Sequence, residues 1–263
     1  MLKTQISLDE IYVPIDDCMK VRLGLVKPED IDELTRRHFD QAPVVDKRGQ
    51  VLGTITVVEL KRLLESNEPL SADNHAIDKH RLSVQPSLGD LLKALTKRQA
   101  TIITSLSGEA VGLLTISDLN NPSFRAFLYP WLIRLEIGLS KMIARKYPEQ
   151  WDWIRYLPEH SQVSIVGYWK LTERRNVEAN ALHACTVTDL IRVLAADNEL
   201  RRTLGYAGEK EAAVSLGQLP VLRNGVMHPV KPLILAPTDV KKLAERVTCV
   251  ENLLNRINSL PPD

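Results

Sequence analysis

The chain has few cysteines, few aromatic side chains and no long apolar run. Its three cysteines, Cys18, Cys185 and Cys249, stand far apart and form no CxxC pair, which argues against a disulfide framework and against a cysteine-based metal site. The most apolar stretch of the second half, residues 127–133, is short and contains Pro130, so it does not suit a membrane span. The first residues also lack the apolar core of a signal peptide. We therefore expect a cytoplasmic protein with no metal site and no membrane partner.

The chain also has almost no net charge, because its positive and negative residues nearly cancel to a formal +1 over 263 residues. The two halves differ, because residues 1–122 hold 15 Lys/Arg against 18 Asp/Glu, whereas residues 123–263 hold 19 against 15. A basic second half suits an anionic partner, although so small an excess does not indicate a constitutive nucleic-acid binder. The length leaves room for two domains, each with a core of ordinary size.

The N-terminal half contains an internal duplication. Residues 26–45 align with residues 84–103 at an offset of 58, and after a one-residue insertion residues 53–60 align with residues 112–119 at an offset of 59. In each copy a helical apolar pattern is followed by a short apolar strand, a glycine-containing turn, a second strand and a helix. The sequence therefore predicts two copies of one α+β unit.

The second copy ends on the pattern Gly112-x-x-Thr115-x-x-Asp118. Together with the duplication, this ending resembles a CBS domain pair over roughly residues 10–122. The resemblance implies tandem β-α-β-β-α repeats that bind an adenine nucleotide (AMP, ADP or ATP) as a regulatory ligand. The glycine lets the backbone pass close to a ligand, the threonine hydroxyl can bond a phosphate or ribose oxygen, and the carboxylate can accept from ribose hydroxyls. Ser117 adds a hydroxyl beside them.

The first copy departs from this pattern. Thr56 is present, but Glu59 stands where the second copy has aspartate, and its longer side chain would misplace the carboxylate. We therefore expect the pocket of Thr56 and Glu59 to bind nucleotide less well than that of Thr115 and Asp118. An alternative explanation stays open, because threonine and aspartate at the end of a strand also cap the helix that follows.

The second half, residues 123–263, is predicted to be all-helical. Apolar residues from Phe124 to Ile143 fall at helical spacing, and Pro130 is expected to kink this helix or to split off its first turn. Shorter helices are expected at residues 149–156, 161–174, 189–196 and 210–216. Thr188 is the predicted N-cap of the third of these, and a last long helix begins near Asp239.

A motif precedes that last helix, Arg223-Asn224-Gly225-Val226-Met227-His228. It resembles the signature of the HEPN family of helical domains, many of which are metal-independent endoribonucleases. The resemblance implies that His228 transfers a proton and that Arg223 holds the phosphate of single-stranded RNA, while Asn224 orients one of them. It also implies an acidic residue on the first helix, here Glu136, and a homodimer in which two copies of the motif meet. Pro229 cannot continue a helix, so His228 is expected at a helix end.

The sequence thus predicts an α+β protein in which a CBS pair (1–122) regulates a HEPN-like helical bundle (123–263), with RNA and not DNA as substrate. A rival interpretation is a regulatory protein whose helical domain has no catalytic activity and only dimerises or docks a partner. Arg223 and His228 would then be a surface cation and a helix cap. The sequence does not separate these two interpretations, because motif residues also persist where they only structure an interface.

Overall fold

The structure is a computed structural model that describes residues 5–148, 151–175 and 180–260. The chain divides into two units. The first contains the described residues up to Phe124 together with Pro232–Lys242, and the second contains Arg125–Lys231 together with the described residues from Leu243. The segment Pro232–Lys242, which lies in the predicted helical half of the sequence, therefore belongs to the first unit. No helix of the described residues is long and apolar enough to cross a membrane.

The first unit contains two small sheets and three helices. The first repeat is β2-α1-β3-β4-α2, the second is β5-α3-β6-β7 followed by a 3₁₀ turn, and the sheet orders are β2-β3-β4 and β1-β7-β6-β5. The strands are β1 (Val13–Pro14), β2 (Val21–Arg22), β3 (Gln41–Val45), β4 (Val51–Thr56), β5 (Arg81–Ser83), β6 (Ala100–Thr104) and β7 (Ala110–Thr115). The helices are α1 (Pro28–Arg36), α2 (Val57–Ser66) and α3 (Leu88–Lys97), and the turn is Ile116–Asn120. In each repeat the two hairpin strands pair antiparallel, and the short strand before the helix pairs in parallel with the first hairpin strand.

Strand pairing corrects the alignment of the two repeats. Gln41 pairs with Thr56 as Ala100 pairs with Thr115, and both hairpins carry an irregularity at the same place, Val44/Val45 and Ile103/Thr104. The whole hairpin therefore repeats at an offset of 59, whereas the helices that precede the two hairpins begin at Pro28 and Leu88, at an offset of 60. A slip of one residue would turn every side chain of the strand to the opposite face, so pairing determines the register more strictly than sequence similarity does.

The repeated glycines accommodate the protein's own chain. A Cβ at Gly53 would lie 2.3 Å from the carbonyl oxygen of Asp78, and a Cβ at Gly112 would lie 2.1 Å from the ring of Tyr12. Thr54 and Asp78 also exchange two backbone hydrogen bonds of 2.9 Å. Gly112 was expected to let the backbone pass close to a ligand. The structure instead shows that each glycine lets the segment preceding one repeat pass over the return strand of the other.

The regular elements among the described residues of the second unit are all helices. The unit contains most of α4 (Pro122–Lys146) and α10 (Pro237–Asn258) and all of α5 (Glu159–Arg174), α6 (Val187–Ala196), α7 (Asn198–Thr203), α8 (Glu209–Leu216) and α9 (Gln218–Met227). Helix α4 buries the predicted apolar stripe, including Leu128, Leu135 and Leu139, and Pro130 lies within it without splitting it. The helix expected at 149–156 was wrong in its described part, because Ile154–Tyr156 forms only a 3₁₀ turn. Residues 149 and 150 lie outside the described residues.

Helix α6 begins two residues earlier than expected, because Thr186 and not Thr188 is its N-cap. The Thr186 hydroxyl accepts the backbone N–H of Asp189 at 3.2 Å, and the Asp189 carboxylate accepts the backbone N–H of Thr186 at 3.0 Å. This reciprocal arrangement requires a spacing of three residues between the hydroxyl and the carboxylate. Only Thr186 has that spacing from Asp189, so the capping box determines the start of the helix.

Candidate functional site

A cavity of about 470 Å³ lies in the first unit, and Thr115, Ser117 and Asp118 form part of its wall. Strand β7 ends at Thr115, and the 3₁₀ turn that follows presents Ser117 and Asp118 on the same side. Three residues that the sequence predicted from one short pattern are therefore found around one concave surface. The volume is within the range of about 300–1,000 Å³ that is usual for small-molecule sites.

Asp118 both closes the turn and faces the cavity. Its Oδ2 accepts the backbone N–H of Thr115 at 2.7 Å and the Thr115 hydroxyl at 2.9 Å. Its Oδ1 accepts no hydrogen bond from the described part of the chain. Burial raises the pKa of Asp118, and the two bonds from Thr115 act in the opposite direction. Capping and ligand binding were treated as alternatives for this residue, and the structure shows the capping contacts on one of its two oxygens.

The cavity also has polar walls that the sequence did not predict. Asp17 and Cys18 come from the segment after β1, and His38 and Asp40 come from the connection between α1 and β3. His38 has a φ of 57°, in the left-handed region where histidine is more tolerated than most residues. In the corrected register Asp40 is the counterpart of Gln99, which also lines the cavity. The carbonyl of Asp40 accepts the N–H of Val57 at 2.9 Å, and the carbonyl of Gln99 accepts the N–H of Ile116 at 3.0 Å.

A distant segment completes the apolar part of the wall. Leu235 and Pro237, from the segment assigned to the first unit, line the cavity together with Phe39. Asn120 holds this segment, since its Nδ2 donates to the carbonyl of Ile234 at 2.9 Å and its Oδ1 accepts the N–H of Leu233 at 2.6 Å. These partners are more than 110 residues apart along the chain, so no local pattern could have identified them.

The corresponding residues of the first copy are arranged differently. Thr56 is exposed, and its hydroxyl accepts the N–H of Glu59 at 3.2 Å as the N-cap of α2. The carboxylate of Glu59 pairs with Arg62 at 2.6 Å. Neither Thr56 nor Glu59 lines the cavity described above. The two copies therefore differ in surroundings as well as in sequence.

The Arg/His motif lies at the end of α9 in the second unit. Helix α9 ends at Met227, and His228 is the C-cap, with its N–H donating to the carbonyl of Asn224 at 3.0 Å. Asn224 and His228 are exposed, and Arg223 is half-buried. The Nε of Arg223 donates to Oε1 of Glu136 at 3.3 Å, so the structure places the acidic residue of α4 beside the motif.

Arg125, which the sequence did not indicate, holds the chain on both sides of His228. Its side chain is 4% exposed. It donates to the carbonyl of Gly225 in the last turn of α9 and, through Nη2, to the carbonyl of Lys231 at 2.6 Å. Burial lowers the pKa of its guanidinium. By bonding one carbonyl before His228 and one after it, Arg125 determines the path of the loop that presents the imidazole.

Among the residues that the structure describes, no three His, Cys, Asp or Glu side chains come together as a group that could hold a metal ion. At the end of α9 the structure places an exposed imidazole, a half-buried guanidinium and a nearby carboxylate.

Comparison with known proteins gives matches at the level of structure. No protein-family model matches the chain, and no curated protein does. Among solved structures, the AMP complex of CBSX2 is similar at 16% identity and a TM-score of 0.37, covering 47% of this chain and 96% of that one. The c-di-AMP complex of CbpB is similar at 14% and 0.38, covering 48% and 89%. A CBS domain-containing protein of unknown function from Bacillus anthracis str. Ames Ancestor is similar at 15% and 0.37, covering 44% and 91%. These neighbours are CBS domain proteins and match the N-terminal part of the chain.

Proposed function

We propose that the protein is a nucleotide-regulated sensor and effector. Its first unit acts as a CBS pair that binds an adenine nucleotide, and its second acts as a HEPN-type, metal-independent endoribonuclease on single-stranded RNA. The observation that carries the sensor half is the cavity where Thr115, Ser117 and Asp118 meet. The arrangement of Arg223, Glu136 and His228 at the end of α9 supports the effector half.

The nucleotide would place its ribose against Asp118 and its base against the apolar wall. Oδ1 of Asp118 is available to accept ribose hydroxyls, while Oδ2 stays bonded to Thr115. Phe39 is 42% exposed and Leu235 is 81% exposed, so both have apolar surface that a flat base would cover. We assign no ligand to the pair Thr56 and Glu59, because Thr56 caps α2 and Glu59 binds Arg62.

Cleavage of RNA needs a group that moves a proton and a fixed cation at the phosphate. The 2′-hydroxyl of the substrate is the nucleophile, so no metal-bound water is required. In the proposed reaction His228 removes the 2′-hydroxyl proton, and Arg223 stabilises the charge that develops on the phosphate oxygens. The bond to the 5′-oxygen breaks as the bond from the 2′-oxygen forms, which leaves a 2′,3′-cyclic phosphate. Asn224, one turn before His228, would orient the substrate or the imidazole.

A second function is favoured by one contact. The Arg223 guanidinium already pairs with Glu136, which offsets part of the positive charge that a phosphate would need. In a regulatory protein without catalysis this pair would simply join α9 to α4, and the helical unit would only dimerise or dock a partner. Both proposals include a homodimer. Two copies of the motif that meet across an interface would also explain why His228 is exposed in the single chain.

RNA cleavage by purified protein in EDTA distinguishes the two functions. Single-stranded RNA should yield 2′,3′-cyclic phosphate ends, and His228→Ala and Arg223→Ala should each lower the rate by at least about 100-fold, the lower range for a general acid–base group. His160→Ala and Arg202→Ala, on exposed residues of α5 and α7, are matched controls that should keep wild-type rates. Cleavage that survives His228→Ala, or that requires a divalent ion, would exclude the nuclease and leave the regulatory function.

A further inference from the structure

The wall of the cavity is acidic. Three carboxylates, Asp17, Asp40 and Asp118, line it, and the imidazole of His38 is the one side chain of the wall that can carry positive charge. No lysine or arginine of the described chain lines it. A nucleoside phosphate brings about one to two negative charges for each terminal phosphate group. Such a ligand would meet like charge at three places and a permanent cation at none.

Two of the donors at the end of β7 are also occupied. The backbone N–H and the hydroxyl of Thr115 both donate to Oδ2 of Asp118. The turn that follows is a 3₁₀ turn of five residues, which is too short to provide the positive end of a helix dipole. The Asp118 carboxylate therefore already accepts the two Thr115 donors that a bound anion could otherwise use.

Cys18, which is part of the wall, is affected by these carboxylates. The pKa of the Cys18 thiol is raised to about 11, mainly by burial; Lys20 acts in the opposite direction, and the carboxylates of Asp17 and Asp118 contribute to the increase. Lys20 pairs with Asp16 at 3.2 Å and does not line the cavity. Two of the three carboxylates thus act on the Cys18 thiol, and Lys20, which opposes them, is paired with Asp16.

From this lining we infer that the cavity selects for the nucleoside part of its ligand and against phosphate, so that affinity falls from adenosine to AMP to ATP. Asp17 and Asp40 are the residues that determine this order. Asp118 recognises the ribose, as proposed above, and the inference rests on that function. The signal that the first unit senses is then the least charged member of the adenine series.

The order of affinities can be measured by calorimetric titration of the full chain with adenosine, AMP and ATP. The titrations use metal-free buffer at pH about 8, at which a solvent-exposed imidazole is neutral. At an ionic strength of about 0.05 M we expect adenosine to bind at least about threefold more tightly than AMP and tenfold more tightly than ATP. At about 1 M salt the Debye length falls to about 3 Å, so the three affinities should converge.

Two variants test which residues cause the discrimination. Asp17→Asn and Asp40→Asn each remove one negative charge from the wall, so each should reduce the ratio of the AMP and adenosine dissociation constants by at least about twofold. Asp32→Asn, on the exposed surface of α1 and away from the cavity, should leave that ratio unchanged. Equal effects of all three variants would contradict the roles of Asp17 and Asp40.

The outcomes separate the inference from the function on which it rests. If ATP binds more tightly than adenosine, and Asp118→Ala weakens both, the sensor function stands and the selection against phosphate is wrong. If none of the three ligands binds, the proposed sensor function itself fails. Adenosine as the tightest ligand, with a ratio that decreases in salt and in the two asparagine variants, supports both.

Discussion

Asp189 is the residue on which the polar contacts of α6 converge. Its side chain is buried, and its two oxygens accept hydrogen bonds from the hydroxyl of Ser161 at 2.8 Å and from the hydroxyl and N–H of Thr186 at 2.7 and 3.0 Å. Burial alone would raise the pKa of Asp189, but these bonds, with Arg192 nearby, outweigh it and hold the pKa below the ordinary value. The ionised carboxylate is therefore part of the folded structure.

Replacing Asp189 with alanine should destabilise the protein. The change leaves two hydroxyls without their acceptor and removes the capping box, so we expect a loss of about 2 kcal/mol in the free energy of unfolding at pH 7. The control Asp152→Ala removes an exposed carboxylate of the same unit and should cost less than about 0.5 kcal/mol. Urea titration measures both, and equal losses would show that the contacts of Asp189 do not contribute.

The pH dependence of that difference follows from the direction of the pKa shift. A carboxylate whose folded pKa is depressed contributes stability above its unfolded pKa of about 3.9, and this stability is lost as pH falls through the folded pKa. The difference in the free energy of unfolding between wild type and Asp189→Ala should thus be largest at pH 7 and should decrease below pH about 4. Asp197 has a pKa that is lowered in the same way, against burial, by bonds from Tyr147 and from backbone N–H groups, so the unit as a whole should be sensitive to acid.

At the scale of the element, the end of α9 is held by a side chain from another helix. The last four carbonyls of a helix lack partners within it. Here Arg125 of α4 donates to the carbonyl of Gly225, and the N–H of His228 donates to the carbonyl of Asn224. The same guanidinium bonds Lys231 beyond the helix. The loop with His228 is therefore ordered by an arginine about 100 residues earlier in the chain.

Arg125→Met should loosen this loop while keeping most of the buried stem. Hydrogen bonds from a charged donor contribute about 1.5–3 kcal/mol each in favourable cases, so the protection of the amides of His228 and Lys231 against hydrogen exchange should fall more than tenfold. The matched control is Arg134→Met, because Arg134 is an exposed arginine of the same helix. Unchanged protection in Arg125→Met would mean that the loop is ordered without it.

At the scale of the whole molecule, one segment relates the two proposed sites along the chain. Leu235 and Pro237 line the cavity, and Leu235 follows His228 by only seven residues. Asn120 binds the segment at Leu233 and Ile234. We propose that a ligand that moves Leu235 changes the position of His228 through this short stretch of chain.

The coupling is tested by RNA affinity with and without saturating adenosine or AMP. Coupling energies are commonly about 1–3 kcal/mol, so we expect a change of at least about fivefold in wild type. Asn120→Ala should remove most of that change although the ligand still binds. Asn121→Ala is the matched control, because the Asn121 side chain bonds Glu10 and Ser123 and not the segment after His228. Equal affinities in wild type, with ligand binding confirmed separately, would make the two units independent.

Much of this organisation was accessible from spacing alone. The duplicated hairpins, the position of Thr115 and Asp118 at a strand end, the apolar stripe of α4 and the placement of His228 at a helix end all depend on residues a few positions apart. The N-cap of α6 was misassigned although its signal is local, because the three-residue spacing of the capping box was not applied. The first hairpin strand of the repeat was misaligned by one residue, because sequence similarity alone does not determine the register of a strand.

The sequence by itself determined the local elements and the residue types at their ends, since backbone hydrogen bonds and side-chain periodicity act over one or two turns. Only the tertiary structure decided that β1 pairs with the strand of the second repeat, that Leu235 reaches the cavity of the first unit, and that Arg125 bonds the loop of His228. Each of these contacts joins residues about 100 or more positions apart. Such contacts depend on how the whole chain packs, and no short pattern encodes them.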